Sequence, residues 1–239
     1  MARKASRSKA RASAPRTISA TEKPARERAI DAFMALLAEK SFEEIGVSEV
    51  AETAGLSLAE LRTEFASTLS ILAAHIKETD RKVLAGVDPD MEEESPRERL
   101  FDVLMRRLEL LAPQREAVRS LMRSVSRNPG LALALNGLGV RSQQWMLAAA
   151  GINSSGPKGM IRAQGLAVMF ANVLRTWVED DDEGLPRTLA ALDRELARGQ
   201  RMAGLLDGLC AIPERACQVV GEMRRPRRNR RERDEAAAA

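Results

Sequence analysis

The stretch from Ala51 to Leu72 reads AETAGLSLAELRTEFASTLSIL, two short helical runs on either side of Gly55. A short helix, a glycine-bearing turn of a few residues and a second short helix make up the helix-turn-helix plan. Such a unit presents the N-terminal half of its second helix to a major groove. That surface here carries Ser57, Leu58, Ala59, Arg62 and Thr63. Its chemistry is hydrogen bonding and charge pairing, and Arg62 suits phosphate because a guanidinium matches its geometry. The same spacing also fits an ordinary helical hairpin.

Covalent and metal chemistry have less to work with. His75 is the one histidine, and it sits on an amphipathic helical run where a partly buried structural role fits. Serine, histidine and acid residues show no triad spacing. No glycine-rich phosphate loop follows a strand, because no strand pattern is found. Cys210 and Cys217 with a single histidine cannot build a common zinc site, and they read as free thiols rather than a disulfide framework. The acidic run Glu179–Glu183 fits a solvated loop better than a cation site. The expectation is a protein that is not an enzyme and carries no cofactor and no metal.

The elements that must position the first motif are helical. Ala, Leu, Met, Glu and Arg dominate, aromatics are only 3% and tyrosine is absent, which favours helix over sheet. Ile30, Phe33, Met34 and Leu37 follow helical spacing and predict a helix over 25–39. Short helices follow at about 47–54 and 58–65, the first ended by Gly55 and the second capped by Ser57 with Glu60 three residues on. Leu69, Leu72, Ala73 and Ile76 open a longer helix at about 68–85. Ser95-Pro96 starts the next, Pro113 another, residues 131–150 a further one and 160–178 an apolar one. A last helix led by Leu189, Leu192 and Leu196 possesses enough apolar residues to continue towards Leu209. About nine helices result, in an all-α fold without internal repeat. The expected division is a basic arm at 1–20, a helix-turn-helix domain at 21–67, a helical domain at 68–210 and an Arg-rich tail at 211–239.

Charge is distributed unevenly. The net +4 conceals six basic groups and no acid in residues 1–20, and a net of +3 in 222–239, leaving −5 for 21–221. Basic arms of this kind bind nucleic acid or keep a chain soluble. No apolar run approaches the ~18 residues of a membrane span, and the basic N-terminus lacks the apolar core of a signal peptide. A cytoplasmic location is expected.

The stretch 25–76 resembles the TetR family of transcriptional regulators. Ala54-Gly55-Leu56-Ser57, Leu61, Phe65 and Ser67 match its pattern, as do Ile30, Phe33 and Leu37 and the positions of Val47, Val50 and Ala51. The resemblance implies a homodimer paired through the last two long helices. It also implies operator binding to double-stranded DNA by the first three helices, and a C-terminal domain that holds a small hydrophobic effector. The DNA-facing set would be Lys23, Ser57, Leu58, Ala59, Arg62, Thr63 and Thr68. The chain departs from the family where Arg62 replaces a tyrosine, Glu64 a histidine or tyrosine, and Thr68 a lysine. Residues 21–82 carry eight basic and twelve acidic groups, which opposes phosphate binding. Arg62 and the arm at 3–16 are the expected compensation.

The effector pocket expected from large adaptable side chains is Met105, Met122, Trp145, Met169, Phe170, Asn172 and Trp177, with Gln143 and Arg175 as further polar candidates. Val173-Leu174-Arg175-Thr176-Trp177, with Thr188, Leu192-Asp193-Arg194 and Leu196, also looks like a lipid-binding accessory family of ubiquinone biosynthesis built on the same fold. The alternative is therefore a lipid-binding or protein-interaction module that has lost DNA binding.

Overall fold

The computed structural model describes residues 23–201. The arm at 1–20, the tail at 211–239, Cys210, Cys217 and the last helix beyond 201 lie outside the described residues. Eight helices are α1 (Ala25–Glu39), α2 (Val47–Thr53), α3 (Leu58–Glu64), α4 (Thr68–Ala85), α5 (Pro96–Leu111), α6 (Arg115–Arg127), α7 (Pro129–Ala149) and α8 (Gly156–Val178). A ninth run, α9, occupies 186–201. No strand occurs among the described residues.

Two apolar cores form, and two helices belong to both. The first holds Phe33, Leu37, Val50, Leu61, Phe65 and Leu72, drawn from α1, α2, α3 and the start of α4. The second holds Val83, Leu104, Leu108, Met146, Phe170 and Trp177, together with Leu192 of α9. Helix α4 gives Ile71 and Leu72 to the first core and Val83 to the second, while α6 gives Ala117 to the first and Val118 to the second.

The α1–α6 seam is polar as well as apolar. The Ser120 hydroxyl donates to the Lys40 carbonyl at 2.7 Å, and the Phe42 amide donates to Ser124 Oγ at 3.0 Å. Asn128 Nδ2 donates to Glu43 at 2.9 Å. These bonds satisfy groups that burial would otherwise strand.

Helix α6 is equally fixed at its other side. Arg115 donates to the carbonyls of Trp177 and Asp180 and lies over the Trp177 ring at 5.4 Å. Arg119 Nε donates to the Val178 carbonyl at 3.1 Å. Two cations thus cover the open carbonyls at the negative end of α8. The buried Asp180 carboxylate accepts from the Thr188 amide and hydroxyl, both at 2.8 Å, tying the loop to α9.

Three boundaries differ from sequence expectation. Pro113 does not open α6: residues Ala112–Gln114 make a short tight turn and α6 begins at Arg115. Pro129 and Gly130 do not lie in a break but inside the first turn of α7, where Asn128 accepts from the Leu131 amide at 3.0 Å. Proline is tolerated there because its missing N–H would be unpaired anyway. Helix α8 starts at Gly156 rather than at 160, again with Pro157 in its first turn. Gly159 is required in that turn, because a Cβ there would stand 2.1 Å from the Ser154 carbonyl carbon.

The second core contains a buried ion pair. Arg107 of α5 donates to Asp80 of α4, the Ser142 hydroxyl of α7 donates to the same carboxylate oxygen at 2.8 Å, and the guanidinium lies over the Phe170 ring of α8 at 5.6 Å. Arg107→Met strands the Asp80 charge and is expected to cost about 3–5 kcal/mol in urea unfolding. The double variant Asp80→Leu/Arg107→Met should recover most of that loss.

Candidate nucleic-acid interface and effector domain

Helix α2 ends because Gly55 takes φ +63°, a conformation that side chains with a Cβ adopt at a cost. The Leu56 amide then donates to the Ala51 carbonyl at 2.8 Å and the Gly55 amide to Glu52 at 3.0 Å. This closes the helix end, and Leu56 is buried beside it. Ser57 starts α3 with a reciprocal cap: its hydroxyl accepts from the Glu60 amide at 3.2 Å, while the Glu60 carboxylate accepts from the Ser57 amide at 2.7 Å. The seven residues of α3 are held by Leu61, with Phe65 buried just after the helix.

With that face committed to the core, the opposite face is free. Leu58 is 55% exposed, and Ala59, Arg62 and Thr63 are exposed too. The Thr63 hydroxyl donates to the Ala59 carbonyl at 2.9 Å, so its methyl and its oxygen lone pairs remain for a partner. Arg62 Nη1 makes one long contact, 3.5 Å, to the Phe65 carbonyl. The Ser57 hydroxyl is engaged in the cap, donating to Glu60 Oε2 at 2.7 Å.

The remaining sequence-predicted contacts stand nearby. Thr68 is the half-buried first residue of α4, behind the Ser67 cap. Lys23 precedes α1 and donates to Asp31 at 2.6 Å, which raises its pKa, the hydrogen bond to Asp31 first and the carboxylate charge second. Glu64, one of the departures noted above, lies 3.7 Å from Arg26 of α1, whose guanidinium also stacks on the Phe65 ring at 4.9 Å. An acid at that position therefore meets a cation of its own domain. Sequence spacing does not reveal that pairing, because the two residues are brought together only by packing.

In the second core the expected pocket residues separate. Met169, Phe170 and Trp177 are buried together, with Met105 and Met122 against their cluster. Asn172 is half-buried and accepts from Arg175 at 2.8 Å. Trp145 is 60% exposed and instead borders an open cleft of about 750 Å³ with Gln144, Met160 and Pro157. A second cavity, of about 480 Å³, lies under the α4–α5 connection, lined by Val87, Met91, Arg99, Asp102, Val103 and Ala148 among others. Met105, Met122, Met169, Phe170, Asn172 and Trp177 line neither of these two.

Of the buried polar residues His75, Asp80, Arg107 and Gln143, the sequence singled out His75 as partly buried and Gln143 as a polar pocket candidate, but not Asp80 or Arg107. A signal existed: Asp80 and Arg107 fall on the apolar stripes Leu72–Ile76–Val83 and Leu100–Leu104–Leu108–Leu111. His75 Nε2, Arg107 Nε and Gln143 Oε1 are buried without a hydrogen-bond partner in the structure. Burial first, then the Arg107 and Lys82 charges, lowers the His75 pKa from 6.5 to about 4. Among the described residues no group of three or more His, Cys, Asp or Glu could hold a metal ion, and no helix is long and apolar enough to cross a membrane.

Solved structures share this arrangement. A TetR transcriptional regulator from Nitrosomonas europaea ATCC 19718 is similar at a TM-score of 0.59 and 22% identity, covering 74% of this chain and 99% of its own. The chain has the TetR-regulator fold. A TetR transcriptional regulator from Rhodococcus sp. RHA1 gives 0.54 and 23%, covering 73% and 95% of the two chains. The fatty acid degradation regulator FadR from Bacillus halodurans gives 0.51 and 17%, covering 75% and 96%. No family model and no curated protein sequence matches the chain.

Two measurements check this local physics. Gly55→Ala should lower stability by about 1 kcal/mol, because alanine must adopt a positive φ. Folded His75 resists protonation until near pH 4, whereas the unfolded chain takes the proton below its ordinary value of 6.5. Stability is therefore lost as pH falls between those values. Wild type should lose about 2 kcal/mol more than His75→Gln between pH 7 and 4.5 in denaturant titrations.

Proposed function

We propose that the chain is a TetR-type transcriptional regulator that binds operator DNA as a dimer and is controlled by a small hydrophobic effector. The observation that carries this reading is α3. One face is locked into the core by Leu61, with Phe65 beyond its end, and the other leaves Leu58, Ala59, Arg62 and Thr63 uncovered. A seven-residue helix with a full N-terminal cap and no core-facing role for those side chains is suited to seating in a major groove. Thr68 and Lys23 flank that face as backbone contacts, Lys23 after exchanging Asp31 for phosphate.

Support for dimerisation comes from α8, where Met160, Ile161 and Val168 are each more than half exposed. An apolar helix face of that kind is stable when covered by a second copy, paired through α8 and α9. Support for effector control comes from α4 and α6, the two helices that belong to both cores. A ligand that shifts the second core shifts α4, and α4 carries the α3 unit with it. Of the expected effector residues, Trp145 borders the open cleft, while Met105, Met122, Met169, Phe170, Asn172 and Trp177 enter this proposal as part of the packed helices that a ligand in a neighbouring cavity would shift.

The second reading, a module on this fold that does not act on DNA, draws on the acids of the first domain and on the pairing of Lys23 with Asp31 and Arg26 with Glu64. Fluorescence anisotropy separates the two. Full-length protein is titrated against DNA from upstream of its own gene and against a scrambled duplex, at two salt concentrations. The regulator reading expects preference for the upstream duplex and about a tenfold loss with Arg62→Ala. Equal weak binding to both duplexes, or none, favours the second reading. Light scattering should find a dimer for wild type and a monomer for Val168→Glu.

A further inference from the structure

The cavity under the α4–α5 connection has a charge pattern that selects its ligand. It is framed by two helix C-termini, the end of α4 at Ala85, with Val87 just beyond, and the end of α7 at Ala149, with Gly151 just beyond. Each of these negative ends already has an arginine. Arg99 Nε donates to the Ala150 carbonyl at 3.1 Å at the end of α7. Arg106 packs on the end of α4, so closely that a Cβ on Gly86 would stand 2.5 Å from its Nη1.

The carboxylates of the cavity have no such match. Among the described residues Asp88 and Asp102 take part in no ion pair. Asp88 accepts only from the Asp90 amide, at 3.0 Å. Asp102 is half-buried and takes no hydrogen bond from the described residues. Beside it the walls are apolar: Val87, Met91, Val103 and Ala148. A volume of about 480 Å³ is that of a small-molecule site.

We propose that this cavity is the effector site and that it takes an organic cation, an ammonium group on an apolar body. The ammonium pairs with Asp102, at the half-buried position where water screens the pair least, and Asp88 lies at the rim. The apolar body lies on Val87, Met91, Val103 and Ala148, with Met91 adapting to its shape. The site touches the exit of α4, the helix that leads back to the α3 unit. That regulatory consequence rests on the regulator reading; the binding does not.

Three molecules sharing one carbon skeleton test the charge requirement: 4-phenylbutylamine, 4-phenylbutanol and 4-phenylbutyrate, titrated calorimetrically into the full-length chain without DNA. The amine should bind best, the alcohol more weakly and the acid least. Asp102→Asn should weaken the amine about tenfold and leave the alcohol unchanged. Asp102 makes no bond that folding needs, so the variant should keep the wild-type melting temperature. If Asp102→Asn melts lower, Asp88→Asn with an Ala148→Phe cavity-filling control takes its place, the first weakening only the amine and the second abolishing binding of amine and alcohol alike. The proposal is overturned if the acid binds as tightly as the amine, if removing the carboxylate leaves the amine unaffected, or if none of the three binds at millimolar concentration. Since no DNA is present, failure here leaves the regulator reading intact, and a protein that ignores operator DNA can still bind the amine.

Discussion

The Asp80–Arg107 pair is the constraint around which the larger part of the chain is arranged. It joins α4 to α5 directly, takes in α7 through the Ser142 hydroxyl and meets α8 where the guanidinium lies over Phe170. Two charges removed from water are costly, and they are tolerated only when their partners are held in place. Four helices must therefore keep one mutual arrangement, which sliding apolar contacts alone would not dictate. Because α4 is one of the four, the same pair sets where the helix leaves the second core and enters the first.

Coupling between the two ends has a second route in α6. Its serines bond the backbone just after α1, and its arginines hold the carbonyls at the end of α8. The two faces of one helix are thus tied to different cores by directional bonds. Helix α6 touches the segment after α1 and the end of α8, while α4 runs from Thr68, beside α3, to Ala85, next to the cavity wall at Val87. Two helices, α4 and α6, thus join the cores, through hydrogen bonds and an ion pair as well as apolar contact.

The candidate DNA face was largely legible in the residues themselves. Gly55, Ser57 and Glu60 act through local geometry, a positive φ and a reciprocal cap, and local geometry is encoded over a few positions. Leu61 and Phe65 mark the buried side by spacing, so Leu58, Ala59, Arg62 and Thr63 follow as the outer side. Cavity-lining residues were far less legible. Large side chains such as Met169, Phe170 and Trp177 have equal reason to fill a core as to line a cavity, and here they fill the core. Trp145 has the same character and lies exposed. The cavity under the α4–α5 connection is lined by Met91 and Arg99 together with short residues such as Val87, Asp102, Val103 and Ala148, a mixture that makes no pattern along the chain.

Helical periodicity, caps and breakers by themselves determined the number and order of the helices, and prolines misplaced three boundaries only because a proline is equally at home before a helix and in its first turn. Those are short-range effects, and the chain carries them wherever it goes. Only the tertiary structure decided which charges meet. Arg26 neutralises Glu64, Arg107 neutralises Asp80 and Arg115 covers the end of α8, each across tens of residues. It also decided that Asp88 and Asp102, which line the cavity, pair with no cation among the described residues. Charge pairing falls off within a few ångströms and depends on burial, so it is a property of distances in space that spacing along the chain does not contain.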